Sequence, residues 1–421
     1  MNKKYYPRIV DKVLELYLKA FGAVVIKGPK WSGKTTTAEQ KANSILKLQD
    51  PDLSENYLAL ADFKPSRLLE GDTPRLIDEW QMAPVLWDAV RNAVDQRQKT
   101  GQFILTGSTV VDRSKMMHSG TGRIAQMPMS TMSLFEYGES NGTVSLNSLF
   151  TNEPFTGSTS SLSVDRLAKA ICRGGWPATL TMSDSASLLV APNYVDGIVF
   201  EDAAQLDEPV PTPERIRAIL RSYARNISTL ASNRAILEDL LSNDSGMSES
   251  TLYRYIAILN ELFVLRDIPA WNPSIRSASA MRASNKRGFS DPSLAIAALG
   301  LSPEQLLDDL NTFGFFFESL CIHDLSIYSV ENKGHISYYR DRYGLECDIV
   351  LHLNDGRFAL IEAKLGSKSI DEGAEHLLKL NNLIRQKQMK PPCFMMILTA
   401  GQYAYQRKDD VYVVPIGCLG P

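Results

Sequence analysis

The chain has 421 residues, which is enough for two to four domains and for several hydrophobic cores. Hydrophobic residues make up 44% and charged residues 22%, an ordinary globular composition that excludes the disordered and fibrous classes. Lys plus Arg number 45 and Asp plus Glu 48, so any nucleic-acid partner has to be held by a local basic patch rather than by the overall charge.

The compartment can be anticipated from three features of the sequence. No apolar run approaches the roughly 20 residues that span a bilayer, so we expect no membrane segment. The basic first residues have no apolar stretch behind them, so we expect no signal peptide. The five cysteines are scattered without a CxxC pair, which argues against disulfides and zinc. We therefore expect a cytoplasmic protein with reduced thiols.

The first third of the chain is predicted to be α/β. Short apolar runs predict strands at Phe21–Ile26, Tyr57–Leu60, Arg75–Glu79 and Gln102–Thr106. Helical patterns lie between them, at Thr36–Leu48 and Val85–Gln98. Strands that alternate with helices predict a parallel sheet covered on both faces.

The loop after the first strand fits GxxxxGK(S/T) at every fixed position. Its residues are Gly28, Pro29, Lys30, Trp31, Ser32, Gly33, Lys34 and Thr35, followed by Thr36. Between a strand and a helix, such a loop cradles phosphate with its backbone N–H groups. Lys34 would pair with the β- and γ-phosphates of ATP, and the Thr35 hydroxyl would ligate Mg²⁺. The alternatives are a chance glycine turn and a loop that binds nucleotide without hydrolysing it.

Two acids end the third predicted strand. Asp78 can hold Mg²⁺ through water, and Glu79 can accept a proton from the attacking water. An acid pair at a helix N-terminus is the alternative. The next strand ends at Thr106, Gly107 and Ser108, where a polar side chain such as Ser108 could orient water against the γ-phosphate, although a plain turn fits equally well.

The order of these elements matches the additional-strand class of P-loop ATPases. The chain resembles AAA+-type ATPases and, more closely, a bacterial and archaeal family in which an AAA+ core is joined to a C-terminal domain of unknown function. The resemblance is carried by GPKWSGKT at 28–35, RLIDEWQ at 75–81, FILTGS at 103–108, GTGRIAQMPMSTMSLFEY at 120–137 and GGWP at 174–177. It extends through the whole chain.

Arg123 lies in the fourth of these segments. It could be a finger that reaches phosphate in a neighbouring subunit, which would make the protein an oligomer. An exposed arginine at the start of a strand is the alternative.

Composition suggests three domains. Residues 139–163 are rich in Ser, Thr, Asn and Gly and predict a loop, and three prolines between 209 and 213 mark a boundary. We predict an AAA+-type P-loop core with a helical lid at 1–208, a winged-helix-like connector at 209–292, and an α/β domain resembling restriction endonucleases at 293–421.

The connector carries a helix-turn-helix pattern. A helix at Arg234–Leu241 is followed by a turn at Gly246 and by a second helix capped by Ser248 or Ser250. Contact with DNA is expected from Arg254, Arg276, Arg282, Lys286 and Arg287. The second helix has few basic residues, so a module that only joins two domains is the alternative.

The last domain contains a predicted β-hairpin around Asn354, Asp355 and Gly356. If these three residues form the loop, Asp348 lies opposite Glu362, and Lys364 shares their face. This is the arrangement of the PD-(D/E)xK nuclease fold, in which two carboxylates hold Mg²⁺ and a lysine stabilises charge. The family's last domain resembles the same fold. A charged solvent face on an ordinary hairpin is the alternative.

An upstream helix is expected to add another acid to this hairpin. Glu318 stands in an aromatic run within a predicted helix at 313–325, a costly position for a carboxylate unless it is paired or ligates a metal. A further helix is predicted at 371–388. In place of the usual proline before the aspartate, this chain has Cys347.

The predicted function is that of an ATP-binding, hydrolysing AAA+-type protein whose nucleotide state controls a nuclease-like domain. An ATP-regulated, metal-dependent nuclease acting on DNA or RNA through the connector and last domain is one alternative. A non-enzymatic switch that binds a protein partner is another. Glu79 favours hydrolysis over the switch, and the four residues Glu318, Asp348, Glu362 and Lys364 favour the nuclease.

Overall fold

The computed structural model describes residues 4–107, 117–203, 211–242, 246–272 and 284–421. Two compact units can be distinguished, Met1–Thr131 with Glu261–Phe263, and Met132–Asn260 with Val264–Pro421. The predicted division into three domains stays a prediction, and its first boundary, at 208, lies outside the described residues. No helix in the described ranges is long and apolar enough to cross a membrane.

The first unit is built on a five-stranded sheet whose neighbours are all parallel. Its strands are β1 (Ala23–Lys27), β2 (Ser44–Lys47), β3 (Arg75–Asp78), β4 (Phe103–Thr106) and β5 (Ile124–Pro128), in the order β2-β3-β4-β1-β5. Its helices are Val10–Ala20, Lys34–Glu39, Ser54–Phe63 and Val85–Arg97. The three central strands β3, β4 and β1 are buried almost throughout, and the predicted parallel α/β sheet is confirmed.

Two element predictions in this unit are wrong. The apolar run Tyr57–Leu60 lies in the helix Ser54–Phe63, because a run of four apolar residues fits a helix as well as a strand. The helix predicted to reach Leu48 ends at Glu39, and Ser44–Lys47 forms β2 instead. Leu46 is the buried residue of β2 and packs in the core on one side of the sheet.

The described residues after β5 form helices, one large sheet and one small sheet, with connecting loops between them. The helices are Leu134–Tyr137, Leu146–Thr151, Val164–Arg173, Asp184–Ser187, Val190–Gly197, Pro213–Arg225, Asn233–Leu241, Glu249–Glu261, Pro292–Leu299, Pro303–Asp308, Leu310–Tyr328 and Ile370–Gln386. The long helices predicted at 313–325 and 371–388 are therefore present. The loop predicted at 139–163 contains a short helix, Leu146–Thr151, which Ser145 caps by accepting a hydrogen bond from the Ser148 N–H.

The large sheet of the second unit has seven strands. They are β7 (Ser158–Thr159), β8 (His335–Arg340), β9 (Glu346–His352), β10 (Phe358–Lys364), β11 (Met395–Thr399), β12 (Tyr403–Gln406) and β13 (Val411–Pro415), in the order β7-β12-β13-β11-β10-β9-β8. The central strands β10, β11 and β13 run parallel, and the flanking pairs are antiparallel. A small parallel pair joins β6 (Val144–Ser145) to β14 (Leu419–Gly420).

The predicted β-hairpin is confirmed in its register. Ile349 lies opposite Ile361, which places Asp348 opposite Glu362 as the next pair. The Leu353 N–H donates to the Arg357 carbonyl at 2.8 Å, so the loop has three residues. Its last residue, Gly356, has φ +86°, a left-handed conformation that glycine adopts without strain.

The predicted helix-turn-helix segments are also helical. Glu249–Glu261 begins where the Ser248 hydroxyl accepts a hydrogen bond from the Thr251 N–H at 3.1 Å. Beyond it, two isolated antiparallel bridges join Leu265 to Phe289 and Ile268 to Lys286. The winged-helix assignment of this region stays a prediction.

Two of the residues expected to contact DNA are wrongly assigned. Lys286 is 6% exposed and Arg287 also 6% exposed, so neither side chain forms a basic surface. The Arg287 guanidinium binds the Asp267 carboxylate and the Tyr223 hydroxyl, each at 2.7 Å. Arg254 is partly buried, whereas Arg276 and Arg282 lie outside the described residues.

Candidate nucleotide site and acidic site

The loop between β1 and the helix Lys34–Glu39 is held in a closed shape. The Lys34 ammonium donates to the carbonyls of Gly28 at 3.0 Å and Pro29 at 2.6 Å. Burial lowers the pKa of Lys34 to about 8, although Glu79 and Asp78 act in the opposite direction. A Cβ on Gly28 would lie 1.9 Å from the Met129 carbonyl, so only glycine fits there. Through its contacts with the Gly28 and Pro29 carbonyls, the Lys34 side chain folds back onto the loop.

The remaining loop residues differ in how far they are exposed. Trp31 has φ +62° and is 63% exposed, so its indole ring stands at the surface of the loop. Ser32 is fully buried, and its hydroxyl has no hydrogen-bond partner within the described ranges. A buried donor without a partner is costly and suits a site that receives an anionic ligand. Lys30, Gly33 and Thr36 are partly buried.

Asp78 is the centre of a hydrogen-bonded cluster at the carboxyl end of β3. Its Oδ1 accepts from the Thr35 hydroxyl at 2.8 Å and from the Thr106 hydroxyl at 2.6 Å. Asp78 is 1% exposed and pairs in register with Thr106 of β4. Hydroxyl and carboxylate oxygens are the ligands that Mg²⁺ prefers, so the residues present fit that ion.

Glu79 follows Asp78 in a left-handed conformation with φ +56°. The Gln81 amide donates a hydrogen bond to the Glu79 carboxylate. Gln81 also lies against Gly107, where a Cβ would come within 1.9 Å of the Gln81 Oε1. Gln81 was not predicted as a site residue, although it stands in the RLIDEWQ segment. Ser108 was predicted as a site residue, but it lies outside the described residues.

Arg8 supports the loop from the N-terminal segment and was also not anticipated. Its guanidinium donates to the Ser32 carbonyl at 2.9 Å and to the Ser130 and Thr131 carbonyls at 2.9 and 3.0 Å. Arg8 is 7% exposed. No motif marks it, because its partners are backbone atoms far away in the sequence.

Arg123 lies at the start of β5, where it is half exposed. Its Nε donates to Asp95 Oδ1 at 2.8 Å, an ion pair within the first unit. The predicted finger role of Arg123 stays a prediction.

The second site lies on the β9–β10 hairpin. The Lys364 ammonium contacts Glu362 Oε2 at 2.6 Å and Asp348 Oδ2 at 3.3 Å. Because both carboxylates touch one ammonium, they lie on one face of the sheet and close enough to share one ion. The Ala363 N–H also donates to Asp348 Oδ2 at 3.1 Å.

Glu318 reaches the same cluster from the helix Leu310–Tyr328, where a fourth charged group meets it. The Lys286 ammonium contacts Glu318 Oε1 at 2.5 Å, the Asp348 carbonyl at 3.2 Å and Asp348 Oδ1 at 3.9 Å. Sequence patterns missed this role of Lys286, because it stands in a basic stretch that is typical of a nucleic-acid surface. The cluster thus contains three carboxylates and two ammonium groups.

Burial and the two lysine charges act in opposite directions on the pKa values of these three carboxyl groups. Burial raises the pKa of Glu318 to about 7 despite the nearby Lys286. Burial and the charge of Asp348 raise the pKa of Glu362 well above its usual range. The charges of Lys286 and Lys364 outweigh burial at Asp348 and lower its pKa. The pair therefore favours one proton on Glu362 beside an ionised Asp348.

The hairpin carboxylates fit a divalent cation in one specific respect. Glu362 Oε1 is buried and has no hydrogen-bond partner in the described part of the chain. An orphaned carboxylate oxygen beside a second carboxylate is a donor set that Mg²⁺ accepts. No group of three or more His, Cys, Asp or Glu side chains among the described residues has a metal-binding arrangement, so the fit rests on the Asp348–Glu362 pair.

A cavity of about 830 Å³ opens beside this cluster in the second unit. Lys286, Glu318, Asp348 and Lys364 line it. Arg340 and the exposed Lys368 also line it, so basic side chains border the acidic pair.

Comparison with known proteins identifies the nucleotide site by class. A family model described as an AAA domain matches residues 20–138, which contain the loop, Asp78 and Glu79. Models of two domains of unknown function, DUF8612 and DUF4143, match residues 164–305 and 313–419. A search of curated proteins found no match. The AAA-domain match and the loop geometry together support ATP binding by the first unit.

Solved structures resemble the chain only distantly. A Walker-type ATPase of Pyrococcus abyssi is 14% identical with a TM-score of 0.45, and the alignment covers 70% of this chain and 96% of that chain. A RuvB variant of Thermotoga maritima is 17% identical with a TM-score of 0.27, covering 62% and 89%. Drosophila ORC bound to DNA is 12% identical with a TM-score of 0.19, covering 69% and 85%. These scores are too low to carry an argument about function.

Proposed function

We propose that the first unit hydrolyses ATP and that its nucleotide state controls a metal-dependent nuclease site in the second unit. The observation that carries the ATPase part is the contact of Asp78 with Thr35 and Thr106, at 2.8 and 2.6 Å, beside the Lys34 loop. This contact supports the proposal because the hydroxyl of Thr35 and the carboxylate of Asp78, which would hold Mg²⁺, meet at the residue that directly follows Lys34.

Each residue of the nucleotide site has a proposed task. The loop N–H groups bind phosphate, and Lys34 exchanges its contacts with Gly28 and Pro29 for the β- and γ-phosphate oxygens. Thr35 and Asp78 would hold the Mg²⁺, which would neutralise phosphate charge. Glu79 accepts the proton of the attacking water.

Two further residues are proposed to support these tasks. Gln81 orients the Glu79 carboxylate through the hydrogen bond that its amide donates. Ser108, which follows Gly107 in the sequence, is proposed to help orient the water.

Replacement of Lys34 by alanine tests ATP binding. We expect a loss of about 1.5–3 kcal/mol in binding free energy, because a charge-assisted contact to phosphate is removed. Calorimetric titration with ATP and Mg²⁺ measures it, and quenching of the exposed Trp31 gives a second signal. Lys41→Ala, which removes a partly exposed lysine paired with Glu15, is the matched control. Equal ATP affinity in wild type and Lys34→Ala would refute the binding site.

The nuclease part rests on the hairpin register, which brings Asp348, Glu362 and Lys364 together. Asp348 and Glu362 would hold Mg²⁺ or Mn²⁺, which would activate water and polarise a phosphodiester. Lys364 stabilises the charge that develops on the phosphate, and Glu318 is a further catalytic candidate. Arg340 and Lys368 on the cavity wall suit a nucleic-acid backbone, either DNA or RNA.

Incubation with mixed DNA and RNA substrates in Mg²⁺ or Mn²⁺ tests this part. Cleavage that requires the metal and disappears on chelation supports it. An intact substrate pool under every metal condition, with and without ATP, would overturn it and leave the second unit as a binding module.

Assembly and location are also proposals. Arg123 is paired with Asp95, so it would have to break this ion pair before it could contact a phosphate bound by a neighbouring subunit. A cytoplasmic location is proposed from the sequence alone.

A further inference from the structure

Lys286 is the least expected component of the acidic cluster. Lys286 and Ile268 form an isolated antiparallel bridge. The Lys286 N–H donates to the Ile268 carbonyl at 2.9 Å, and the Ile268 N–H donates to the Lys286 carbonyl at 2.8 Å. This backbone pairing fixes the residue, and its side chain extends into the cluster with only 6% of its surface exposed. The Lys286 ammonium thus contacts the acids from a segment outside the β9–β10 hairpin.

The two lysines divide the acidic oxygens between them. Lys364 contacts Glu362 Oε2 and Asp348 Oδ2, whereas Lys286 contacts Glu318 Oε1 and lies toward Asp348 Oδ1. Glu318 is therefore paired with an ammonium, and the Asp348 backbone carbonyl is bonded to the same group at 3.2 Å. Both oxygens are of the type that a divalent cation would otherwise recruit.

The three acids of the cluster do not form a metal-binding arrangement among the described residues. Glu318, Asp348 and Glu362 all approach one another, yet their geometry does not suit a common metal ion. A single tethered positive charge stands between Glu318 and Asp348. Of the three acids, Glu362 has a buried oxygen, Oε1, for which the described ranges provide no hydrogen-bond partner.

We infer that Lys286 competes with the metal for the Glu318 carboxylate. By pairing with Glu318, the Lys286 ammonium keeps this carboxylate out of the coordination sphere and restricts the divalent cation to the Asp348–Glu362 pair. This inference rests on the metal site proposed above. Removal of the Lys286 ammonium frees a third carboxylate and removes one repelling charge, and both changes strengthen the binding of a divalent cation. Lys286 is thus a positioning residue that acts through Glu318.

Calorimetric titration of the full chain with Mn²⁺ alone tests this role. Lys286→Met keeps the length and removes the charge, and we expect it to bind Mn²⁺ about 10-fold more tightly or better. Lys368→Met is the matched control, because it removes a lysine from the wall of the same cavity without touching Glu318. An equal gain in Lys368→Met, or no gain in Lys286→Met, would overturn the inference.

A double-mutant cycle asks whether the effect passes through Glu318. Glu318→Gln alone is expected to change Mn²⁺ affinity less than about 3-fold, because Glu318 is already held by Lys286. In the Lys286→Met background the same change should cancel the gain. A loss of 10-fold or more from Glu318→Gln alone would show that Glu318 is a ligand already, and this arm decides the matter even if Lys286→Met does not fold.

The same titration separates this inference from the proposed function. If wild type binds no Mn²⁺ and Asp348→Ala behaves like wild type, the metal site itself fails, and the inference fails with it. If wild type binds Mn²⁺ through Asp348 but Lys286→Met binds no more tightly, only the role of Lys286 is refuted.

Discussion

Replacement of Glu79 by glutamine is expected to lower ATP turnover by about 100-fold or more while ATP binding is retained. Glutamine keeps the shape of the side chain and its position after Asp78, but it cannot accept a proton from water. The left-handed backbone at Glu79, with φ +56°, orients the group independently of its charge, so the fold is expected to tolerate the change.

Steady-state phosphate release and ATP calorimetry measure the two quantities separately. Glu70→Gln is the matched control, because Glu70 is an exposed glutamate of the same unit that pairs with Arg67. Wild-type turnover in Glu79→Gln would exclude Glu79 as the base, and loss of ATP binding would point to a structural role instead.

Alanine at Asp348 or at Glu362 is expected to abolish the stabilisation of the protein by Mn²⁺ and any cleavage. Each carboxylate supplies half of the proposed ligand pair, and metal that binds only the folded state raises the melting temperature through linkage. Lys364→Ala should keep the metal-induced rise but lose cleavage, because an ammonium group is not a ligand.

Thermal unfolding with and without Mn²⁺ measures these effects. Asp355→Ala is the control, since Asp355 is an exposed carboxylate at the tip of the same hairpin, where it pairs with Arg357. Metal stabilisation that survives in both Asp348→Ala and Glu362→Ala would contradict the site.

Local patterns predict those parts of this molecule that depend on neighbours in sequence. The Lys34 loop follows from its motif, and the hairpin register follows from a three-residue turn ending at Gly356. Both features are set within a few residues, so composition and periodicity are sufficient. The strand predicted at Tyr57–Leu60 fails because a short apolar run does not distinguish a strand from a helix.

Long-range pairing could not be predicted in the same way. Arg8 binds backbone carbonyls more than 120 residues away, and Lys286 reaches Glu318 and Asp348 from a segment read as a surface for DNA. A basic residue in an irregular stretch has the same local signature whether it faces solvent or enters a cluster of acids. Only the tertiary arrangement separates these cases.

The central claim is that the nucleotide state of the first unit controls metal-dependent cleavage by the second. The most direct measurement is cleavage of DNA and RNA in Mn²⁺, with and without ATP, by wild type and by Lys34→Ala. We expect ATP to change the cleavage rate of wild type and to leave that of Lys34→Ala unchanged. The same rate with and without ATP in wild type, or an equal ATP effect in Lys34→Ala, would contradict this claim.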